Sequence, residues 1–272
     1  MKLGVTYSLY NGYELLPFSV KAIRPAVDYI NVVYQDYSWF GKPADSEMYE
    51  IVNKLKGEGL VDNVLKYDIP PSDDYKDTKG NAGKATYKKN IARTLEKRNL
   101  GIEDLKKNDC DYCMILDVDE FYRAEDIEKA TKFIEKNGIT VSCVSSYPYA
   151  IKPTYRSKTK QEFSFQFIMK LEKDAKCVFC DTFPCLVDPI RSLGYDRKKD
   201  KFYYFTDFTL HHMSLVRKDF SEKISSTIEN SLKNATDFTG GLERKFESAK
   251  NQAAAGVPQG YIEVPNEFGI EL

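Results

Sequence analysis

The chain has 272 residues, of which 42% are hydrophobic and 30% are charged. This composition excludes an intrinsically disordered protein, and the length suits one large domain or two small ones. The 40 Lys and Arg residues are balanced by 41 Asp and Glu residues, giving a formal net charge of −1. A field that holds nucleic acid without sequence preference is therefore excluded.

The first third of the sequence predicts alternating strands and helices. No apolar run approaches the roughly 18 residues that cross a bilayer, and the N-terminus is expected to be a first strand instead of a signal peptide. We predict strands over 3–10, 27–34 and 61–67 and helices over 13–23 and 48–55. Such alternation is typical of a mostly parallel sheet flanked by helices, an α/β fold.

The rest of the chain predicts further strands and then a helical end. Residues 70–83 hold two adjacent Pro, two adjacent Asp and two Gly, which predicts a loop. Residues 84–107 predict a helix that breaks near Asn99-Leu100-Gly101. Beyond it we predict strands over 112–116, 140–147, 163–171 and 202–210 and helices over 124–137, 220–232 and 242–255. We therefore divide the chain into an α/β domain, 1–215, and a C-terminal helical extension with a tail, 216–272.

Six cysteines include two Cys-x-x-Cys pairs, Cys110/Cys113 and Cys177/Cys180. This spacing raises the question of structural zinc. Cys113, however, begins a buried apolar run, and neither pair has the Gly-rich turns of a zinc ribbon. We predict reduced, buried thiols, with residues 177–180 pairing as a hairpin with the strand over 163–171.

The strongest chemical signal is an acidic motif after a buried strand. Residues 115–120 read Ile-Leu-Asp-Val-Asp-Glu, so the carboxylates of Asp117 and Asp119 follow the apolar run. Ligands bind beyond the carboxyl ends of strands in open parallel sheets. Two neighbouring carboxylates repel each other unless a cation lies between them. The motif predicts a site for Mg²⁺ or Mn²⁺ that shares the ion with substrate phosphates.

The chain has only two histidines, His211 and His212, at the end of another aromatic strand. Strand alternation directs their side chains to opposite faces, so one of them can join the carboxylates. We favour His212, because the strand is expected to end near His211. An imidazole ligand suits Mn²⁺ better than Mg²⁺ and must be neutral, so activity is predicted to fall below about pH 6.

Three stretches resemble one enzyme family. They are residues 5–11, residues 97–101 (Lys-Arg-Asn-Leu-Gly) and residues 113–120, which contain the acidic motif. Together they resemble nucleotide-sugar-dependent glycosyltransferases of the GT-A fold, in the family 2-like group, over residues 3–215. The resemblance implies a Rossmann-like GT-A domain in which the Asp-x-Asp carboxylates hold the metal on the donor diphosphate. It also implies a late histidine ligand and a nucleoside pocket at the ends of the first two strands.

Two features depart from the family pattern. The second strand ends in residues 35–38, Gln-Asp-Tyr-Ser, without the usual Gly-Ser run, and no Glu-Asp pair occupies the position of the catalytic base of many inverting members. An inverting reaction needs a carboxylate base on the acceptor hydroxyl, whereas a retaining one does not. Asp181 is our first choice for this base, with Asp196 and Asp207 as rivals, and the stereochemistry stays open.

The predicted activity is metal-dependent transfer of a sugar, of the hexosyltransferase kind, from a UDP-sugar to a hydroxyl of a glycan, lipid-linked or protein acceptor. Arg217 and Lys218 follow the histidines and could close over the diphosphate. The predicted catalytic residues are Asp119 and Asp181, the metal ligands Asp117, Asp119 and His212, and the donor-binding residues Thr6, Tyr10, Asp36, Arg93, Arg98, Asp117 and Lys218. A cytoplasmic location is expected, with peripheral membrane contact only through the acceptor, and a homodimer is left open.

Three other functions compete with this interpretation. A haloacid-dehalogenase-like phosphatase also has an apolar strand followed by Asp-x-Asp, but it has the motif near the chain start and Thr or Val where this chain has Phe121. An EF-hand calcium loop needs further oxygen ligands at fixed steps, which Phe121 and Tyr122 contradict. A non-catalytic nucleotide-sugar-binding protein is compatible with the sequence and would bind its ligand without turnover.

Overall fold

Four parallel strands form one half of the central sheet in the computed structural model, which describes residues 1–68, 84–220, 223 and 235–272. They are β1 (Leu3–Leu9), β2 (Tyr29–Tyr34), β3 (Asn63–Lys66) and β4 (Tyr112–Asp117), in the spatial order β3-β2-β1-β4. β1 and β4 are almost entirely buried. Nearly continuous apolar sequences are what strands covered on both faces require.

Antiparallel pairings extend the sheet beyond β4. The remaining strands are β5 (Glu120–Phe121), β6 (Val141–Ala150), β7 (Tyr155–Ser157), β8 (Phe165–Lys170), β9 (Phe202–Leu215) and β10 (Tyr261–Glu263). β8 pairs antiparallel with both β4 and β6, while β9 runs parallel to β6 and antiparallel to β5. The predicted α/β fold with helices against a central sheet is confirmed, and the sheet is parallel in one half and mixed in the other.

β9 is longer than the sequence predicted. The predicted strand ended at Leu210, but β9 continues to Leu215 and contains both His211 and His212. The extension is stabilised by pairing on both sides, because Tyr147 of β6 is opposite His211 and Glu120 of β5 is opposite His212. The histidines therefore project from a strand and not from a turn beyond it.

Five α-helices occur in the described ranges: α1 (Leu16–Ile23), α2 (Ser46–Gly57), α3 (Lys84–Lys107), α4 (Ala124–Asn137) and α5 (Ala235–Ala253). The side chain of Asp45 accepts a hydrogen bond from Glu47 N at the start of α2. Gly138 ends α4 with a left-handed φ of 60°. The helix α5 supplies the predicted C-terminal helical segment, although it begins and ends earlier than 242–255.

The predicted break in α3 is wrong, because the helix is continuous through residues 99–101. Asn99 bonds outward with its side chain, accepting from Cys177 N at 2.7 Å and donating to Cys177 O at 3.0 Å. Gly101 allows α3 to approach the sheet, since a Cβ there would lie 2.0 Å from Thr6 Oγ1. Both residues serve contacts of the helix with its neighbours instead of ending it.

The cysteines are free thiols, as predicted, and five of the six are buried. The predicted hairpin between residues 177–180 and β8 is wrong, because Val178 forms an antiparallel bridge with Ser192 instead. The predicted loop over 70–83 and most of the predicted helix over 220–232 lie outside the described residues. No helix within the described ranges is long and apolar enough to cross a membrane.

Candidate active site

A cavity of about 290 Å³ opens at the carboxyl ends of β1, β2 and β4, where an open α/β sheet binds ligands. One end of it is polar and aromatic, with Ser8, Tyr10, Gln35 and Trp39. The other end is highly charged. Its charged lining residues are the acids Asp117, Asp119 and Asp188 and the bases Arg98, Arg191, Arg217 and Lys223, while Lys97 donates to Leu9 O at the end of β1.

Arg191 joins three carboxylates at the floor of this cavity. Its Nη2 lies 2.5 Å from Asp117 Oδ2, its Nε lies 2.9 Å from Asp188 Oδ2, and its Nη1 contacts Glu120 Oε1. Arg98 adds a second cation to Asp117, with Nη2 at 3.3 Å from Oδ1. Burial alone would raise the pKa of Asp117, but Arg191 and Arg98 outweigh it and the pKa is lowered. Asp117 is thus an ionised carboxylate whose charge is balanced by Arg191 and Arg98.

Asp119 is also buried and ionised. Its Oδ2 accepts from Arg217 Nη2 at 2.5 Å and from Lys223 Nζ at 2.8 Å, and its Oδ1 lies 3.9 Å from His212 Nε2. Burial tends to raise the pKa of Asp119, but Lys223 and Arg217 lower it well below its usual range. Gly12 makes room for Arg217, because a Cβ at this position would lie 1.3 Å from Nη1.

His212 is held in one orientation by Gln161. The Nδ1 of His212 lies 3.1 Å from Gln161 Oε1, which also accepts from Ser146 Oγ at 2.5 Å. Because a carbonyl oxygen only accepts, His212 carries its proton on Nδ1 and presents the Nε2 lone pair towards Asp119. His211 lies on the opposite face of β9 and hydrogen-bonds to Tyr149 Oη at 2.8 Å. The predicted division of the two histidines between two faces is confirmed.

The structure brings together three groups that can hold a metal ion. Ligand atoms of Asp119, Glu120 and His212 all lie within 4.8 Å of one another. Two carboxylates and a neutral imidazole together suit Mn²⁺ as ligands. Mg²⁺ would bind mainly to the carboxylate oxygens. Two of the predicted ligands, Asp119 and His212, are in this group. Glu120 takes the place in it that the sequence had given to Asp117, which instead binds Arg191 and Arg98.

Three of the predicted donor-binding residues line the cavity: Tyr10, Arg98 and Asp117. Thr6 does not, because it is buried in β1 beneath Gly101 of α3. Asp36 does not line the cavity either, and its carboxylate accepts hydrogen bonds from Lys66 Nζ at 2.6 Å and from Tyr49 Oη at 2.8 Å. Gln35, one residue earlier, lines the cavity instead and is buried, with no hydrogen-bond partner for its Oε1.

The other predicted residues lie outside the cavity lining. Asp181 is exposed, and neither Asp196 nor Asp207 lines the cavity. Lys218 lies 3.6 Å from Glu47 Oε1, and Arg93 is buried without lining the cavity. The functional candidates that the sequence missed are Lys97, Asp188, Arg191 and Lys223, whereas Gln35 belongs to the strand end that was expected to line the nucleoside pocket. Lys97 stands in a motif that carried the resemblance, whereas Arg191 has no local signal beyond Asp188 three residues earlier.

The two histidines predict a pH-dependent stability. Burial, the larger cause, lowers the pKa of both His211 and His212 from 6.5 to about 4, so the predicted protonation of His212 near pH 6 is wrong for the folded chain. As the pH falls from 6.5 to about 4, each histidine is protonated in the unfolded chain before it is protonated in the folded chain. Each histidine therefore lowers the free energy of unfolding by up to about 1.4 kcal/mol per pH unit over this range. Burial raises the pKa of Glu120 to about 7, so the folded chain takes up a proton on Glu120 before the unfolded chain does. This proton uptake offsets the loss of stability caused by one of the two histidines.

We therefore expect the free energy of unfolding, measured with urea, to fall between about pH 6.5 and 4.5. His211→Gln removes one of the two titrating groups, and its urea curves should change less across this range than those of the parent protein. An unfolding free energy that rises as the pH falls through the same range would contradict the assigned shifts.

Comparison with known proteins relates this site to one family. Residues 96–224 match the sequence model of glycosyl transferase family 2. This stretch contains Arg98, Asp117, Asp119, Arg191 and His212, and it begins after β3. A search of curated protein sequences finds no match.

Among solved structures, three crystal structures of Staphylococcus aureus TarS are similar at low identity. TarS 1-349 is 15% identical with a TM-score of 0.42, covering 79% of this chain and 61% of that chain. TarS 1-349 in complex with UDP-GlcNAc is 15% identical with a TM-score of 0.42, and the match covers 82% of this chain and 64% of that chain. A longer TarS is 12% identical with a TM-score of 0.43, covering 78% and 37%. This chain thus spans less than two thirds of the length of each.

The family match coincides with the charged end of the cavity, since both Asp-x-Asp carboxylates, the imidazole of His212 and the guanidinium of Arg191 come from the matched residues. The resemblance seen in the sequence is confirmed over residues 96–224, which match the model of glycosyl transferase family 2.

Proposed function

We propose that this chain transfers a sugar from a nucleotide-sugar donor, a UDP-sugar, to a hydroxyl acceptor. The observation that carries the proposal is the charged end of the cavity in the matched region, where four basic side chains contact the Asp-x-Asp carboxylates: Arg98, Arg191, Arg217 and Lys223. Cleavage of a sugar–diphosphate bond leaves negative charge on the departing diphosphate. Fixed cations in a partly buried site stabilise such charge more strongly than water does.

The basic groups come from three parts of the chain. Lys97 and Arg98 lie on α3, Arg191 lies in the segment between β8 and β9, and Arg217 and Lys223 follow β9. The cations outnumber the three carboxylates that line the cavity, so a dianionic diphosphate is favoured there. Arg217 and Lys223 both bind Asp119, and a diphosphate beside Asp119 would meet these two donors directly.

A divalent ion, Mn²⁺ or Mg²⁺, fits the same end of the cavity. Asp119 and His212 would hold it, with Glu120 as the third group of the cluster. A bound ion supplies Lewis-acid stabilisation of the leaving diphosphate. The chain's own part is to keep Asp119 ionised, through Arg217 and Lys223, and to keep His212 neutral with its Nε2 directed at Asp119.

The polar end of the cavity suits a uracil base. The unpartnered Oε1 of Gln35 can accept from an imide N–H, which uracil has and cytosine lacks. Lys97 Nζ donates to Leu9 O at 2.7 Å and has further N–H groups for a ring carbonyl. Burial lowers the pKa of Lys97 to about 7, so it remains a donor whether charged or neutral. Tyr10 and Trp39 supply aromatic surface beside these groups.

A thermal-shift screen of nucleotides with and without Mn²⁺ tests the function. A ligand that binds only the folded state raises the unfolding temperature, and we expect UDP to raise it more than CDP, ADP or GDP. Gln35→Leu should reduce the affinity for UDP about 5- to 100-fold and leave little preference over CDP, because one buried hydrogen bond is worth about 1–3 kcal/mol. Asp36→Asn is the control, since Asp36 lies outside the cavity. Equal stabilisation by all four nucleotides would contradict the proposal.

The contact between Gln161 and His212 gives a second test. Gln161→Leu removes the acceptor that fixes the His212 tautomer, and we expect Mn²⁺ affinity, measured by calorimetry with UDP present, to fall about 10- to 100-fold. Gln161→Glu keeps an acceptor oxygen at the same position and should retain most of the affinity. An unchanged Mn²⁺ affinity in Gln161→Leu would remove His212 from the proposed ligand set.

The acceptor substrate and the base that would activate its hydroxyl form the last part of the proposal. A hydroxyl of a glycan, a lipid-linked sugar or a protein suits the reaction, and a base is needed only if the configuration inverts. Asp188 lines the cavity together with Asp117 and Asp119, whereas Asp181 is exposed outside its lining, so Asp188 becomes a stronger candidate for that base than Asp181. The hexosyl group, the cytoplasmic location, the homodimer and the domain division at residue 215 stay predictions.

A further inference from the structure

The end of the chain packs against the strand pair that carries the proposed metal ligands. We call residues 264–270 the C-terminal tail. It follows β10, which pairs antiparallel with β7, and Val264 N donates to Thr154 O at 2.8 Å. The tail is closed by a side-chain turn, in which Asn266 bonds to both the N–H and the carbonyl of Ile270 at 3.0 Å. This segment is therefore ordered by its own contacts.

The apolar side chains of the tail cover the β5–β9 pair. The ring of Phe268 lies 5.0 Å from that of Phe121 of β5 and 5.1 Å from that of His211 of β9, between centroids. Ile270 is only 3% exposed and packs in the same cluster, which also contains Phe121 and Met213. Phe121 is completely buried. The tail supplies part of the apolar surroundings that a buried phenylalanine on a two-residue strand requires.

A charged contact adds to the apolar ones. Glu267 Oε1 accepts from Arg123 Nη2 at 2.6 Å, and its Oε2 lies 3.9 Å from His211 Nδ1. Arg123 is the N-cap residue of α4, two residues after β5, so the tail contacts both the last residue of the short strand and the segment that follows it. Glu267 is partly exposed, so this pair contributes less than the buried aromatic contacts.

The two faces of the β5–β9 pair contact different parts of the molecule. Phe121 and His211 are opposite each other and face the tail, whereas Glu120 and His212 are opposite each other and belong to the metal-ligand group. Met213 N donates to Asp119 O at 2.7 Å, which ties the third ligand to the same strand pair. We propose that the C-terminal tail, through Phe268 and Glu267, is a positioning element that holds Asp119, Glu120 and His212 in place from the reverse face of the strands.

This inference rests on the proposed function for its consequence, but its structural part is testable alone. Hydrogen–deuterium exchange of Phe268→Ala should show amides of residues 119–121 and 211–213 exchanging at least tenfold faster, while those of β1 and β4 remain protected. Phe268→Leu keeps apolar volume and should restore most of the protection. Phe179→Ala is the matched control, because Phe179 is 53% exposed and lies outside the tail and the strand pair.

Ligand binding is measured on the same proteins. In Phe268→Ala we expect Mn²⁺ affinity with UDP present to fall about tenfold, while UDP affinity in EDTA changes less than twofold, a division that general destabilisation would not produce. A chain ending at Glu263 should show the same defect, and a peptide of residues 264–272 added in trans should reverse it.

Unchanged exchange at the β5–β9 pair would overturn the proposal. Faster exchange with unchanged Mn²⁺ affinity would overturn the positioning role. Should the parent protein bind neither UDP nor Mn²⁺, the proposed function fails, and the exchange of Phe268→Ala against Phe179→Ala still decides whether the tail holds the strands.

Discussion

Asp119→Asn is expected to abolish sugar transfer, with at least a 10²–10³-fold loss, and to remove the part of the UDP-induced thermal stabilisation that depends on Mn²⁺. Asp119 binds two cations, Arg217 and Lys223, and its Oδ1 also lies 3.9 Å from Nε2 of the neutral His212. The amide keeps the volume but removes the charge that binds an ion and orients the two cations. Transfer is measured with a radiolabelled UDP-sugar, and UDP binding by calorimetry.

The variant also separates the metal from the basic side chains. If Arg217 and Lys223 hold the diphosphate, Asp119→Asn should still bind UDP in EDTA with nearly the parent affinity, because both cations lose a competing carboxylate. Asp181→Asn changes an exposed carboxylate outside the cavity lining and serves as the control. Full transfer by Asp119→Asn in EDTA would refute both the metal and the role of the motif.

The strand-and-helix pattern and the acidic motif were predictable because they are local. Apolar periodicity identified β1, β2 and β4, and the carboxylates of Asp117 and Asp119 follow the last of these directly. The structure nevertheless assigns the two carboxylates to different partners, because Arg191 reaches Asp117 from 74 residues away. No spacing rule in a single sequence connects such a pair.

The errors at the nucleoside end have a different cause. Asp36 is the more conspicuous residue, but in the segment directly after β2 it binds Lys66 and Tyr49, while Gln35 lines the cavity. A shift of one residue moves a side chain to the other face of a sheet. The end of β9 was placed too early for a similar reason, since its last residues are stabilised by partners in β5 and β6 that the sequence does not place beside them.

Arg191→Met is expected to lower the free energy of unfolding by about 3–5 kcal/mol and to abolish transfer. The substitution removes the one side chain that contacts Asp117, Glu120 and Asp188 together, and it leaves carboxylates buried beside one another without their counter-charge. Arg191→Lys should recover only part of the stability, because an ammonium group cannot make the fork-shaped contacts of a guanidinium. Arg197→Met replaces an exposed arginine six positions later and should change the stability by no more than about 0.5 kcal/mol.

The pH dependence of this loss distinguishes electrostatics from packing. Burial, with Asp117 and Asp119 nearby, raises the pKa of Glu120 to about 7 even though Arg191 lowers it, so removal of Arg191 raises this pKa further. Above about pH 7, where Glu120 of the parent protein is ionised, the folded variant still binds a proton on Glu120. Its relative stability therefore rises as the pH falls from about 9 to 7. The difference between the two proteins in urea unfolding should therefore shrink over this range. A difference that is constant with pH would mean that Arg191 acts through the volume it fills, because only an unpaired carboxylate can relieve its burial by taking up a proton.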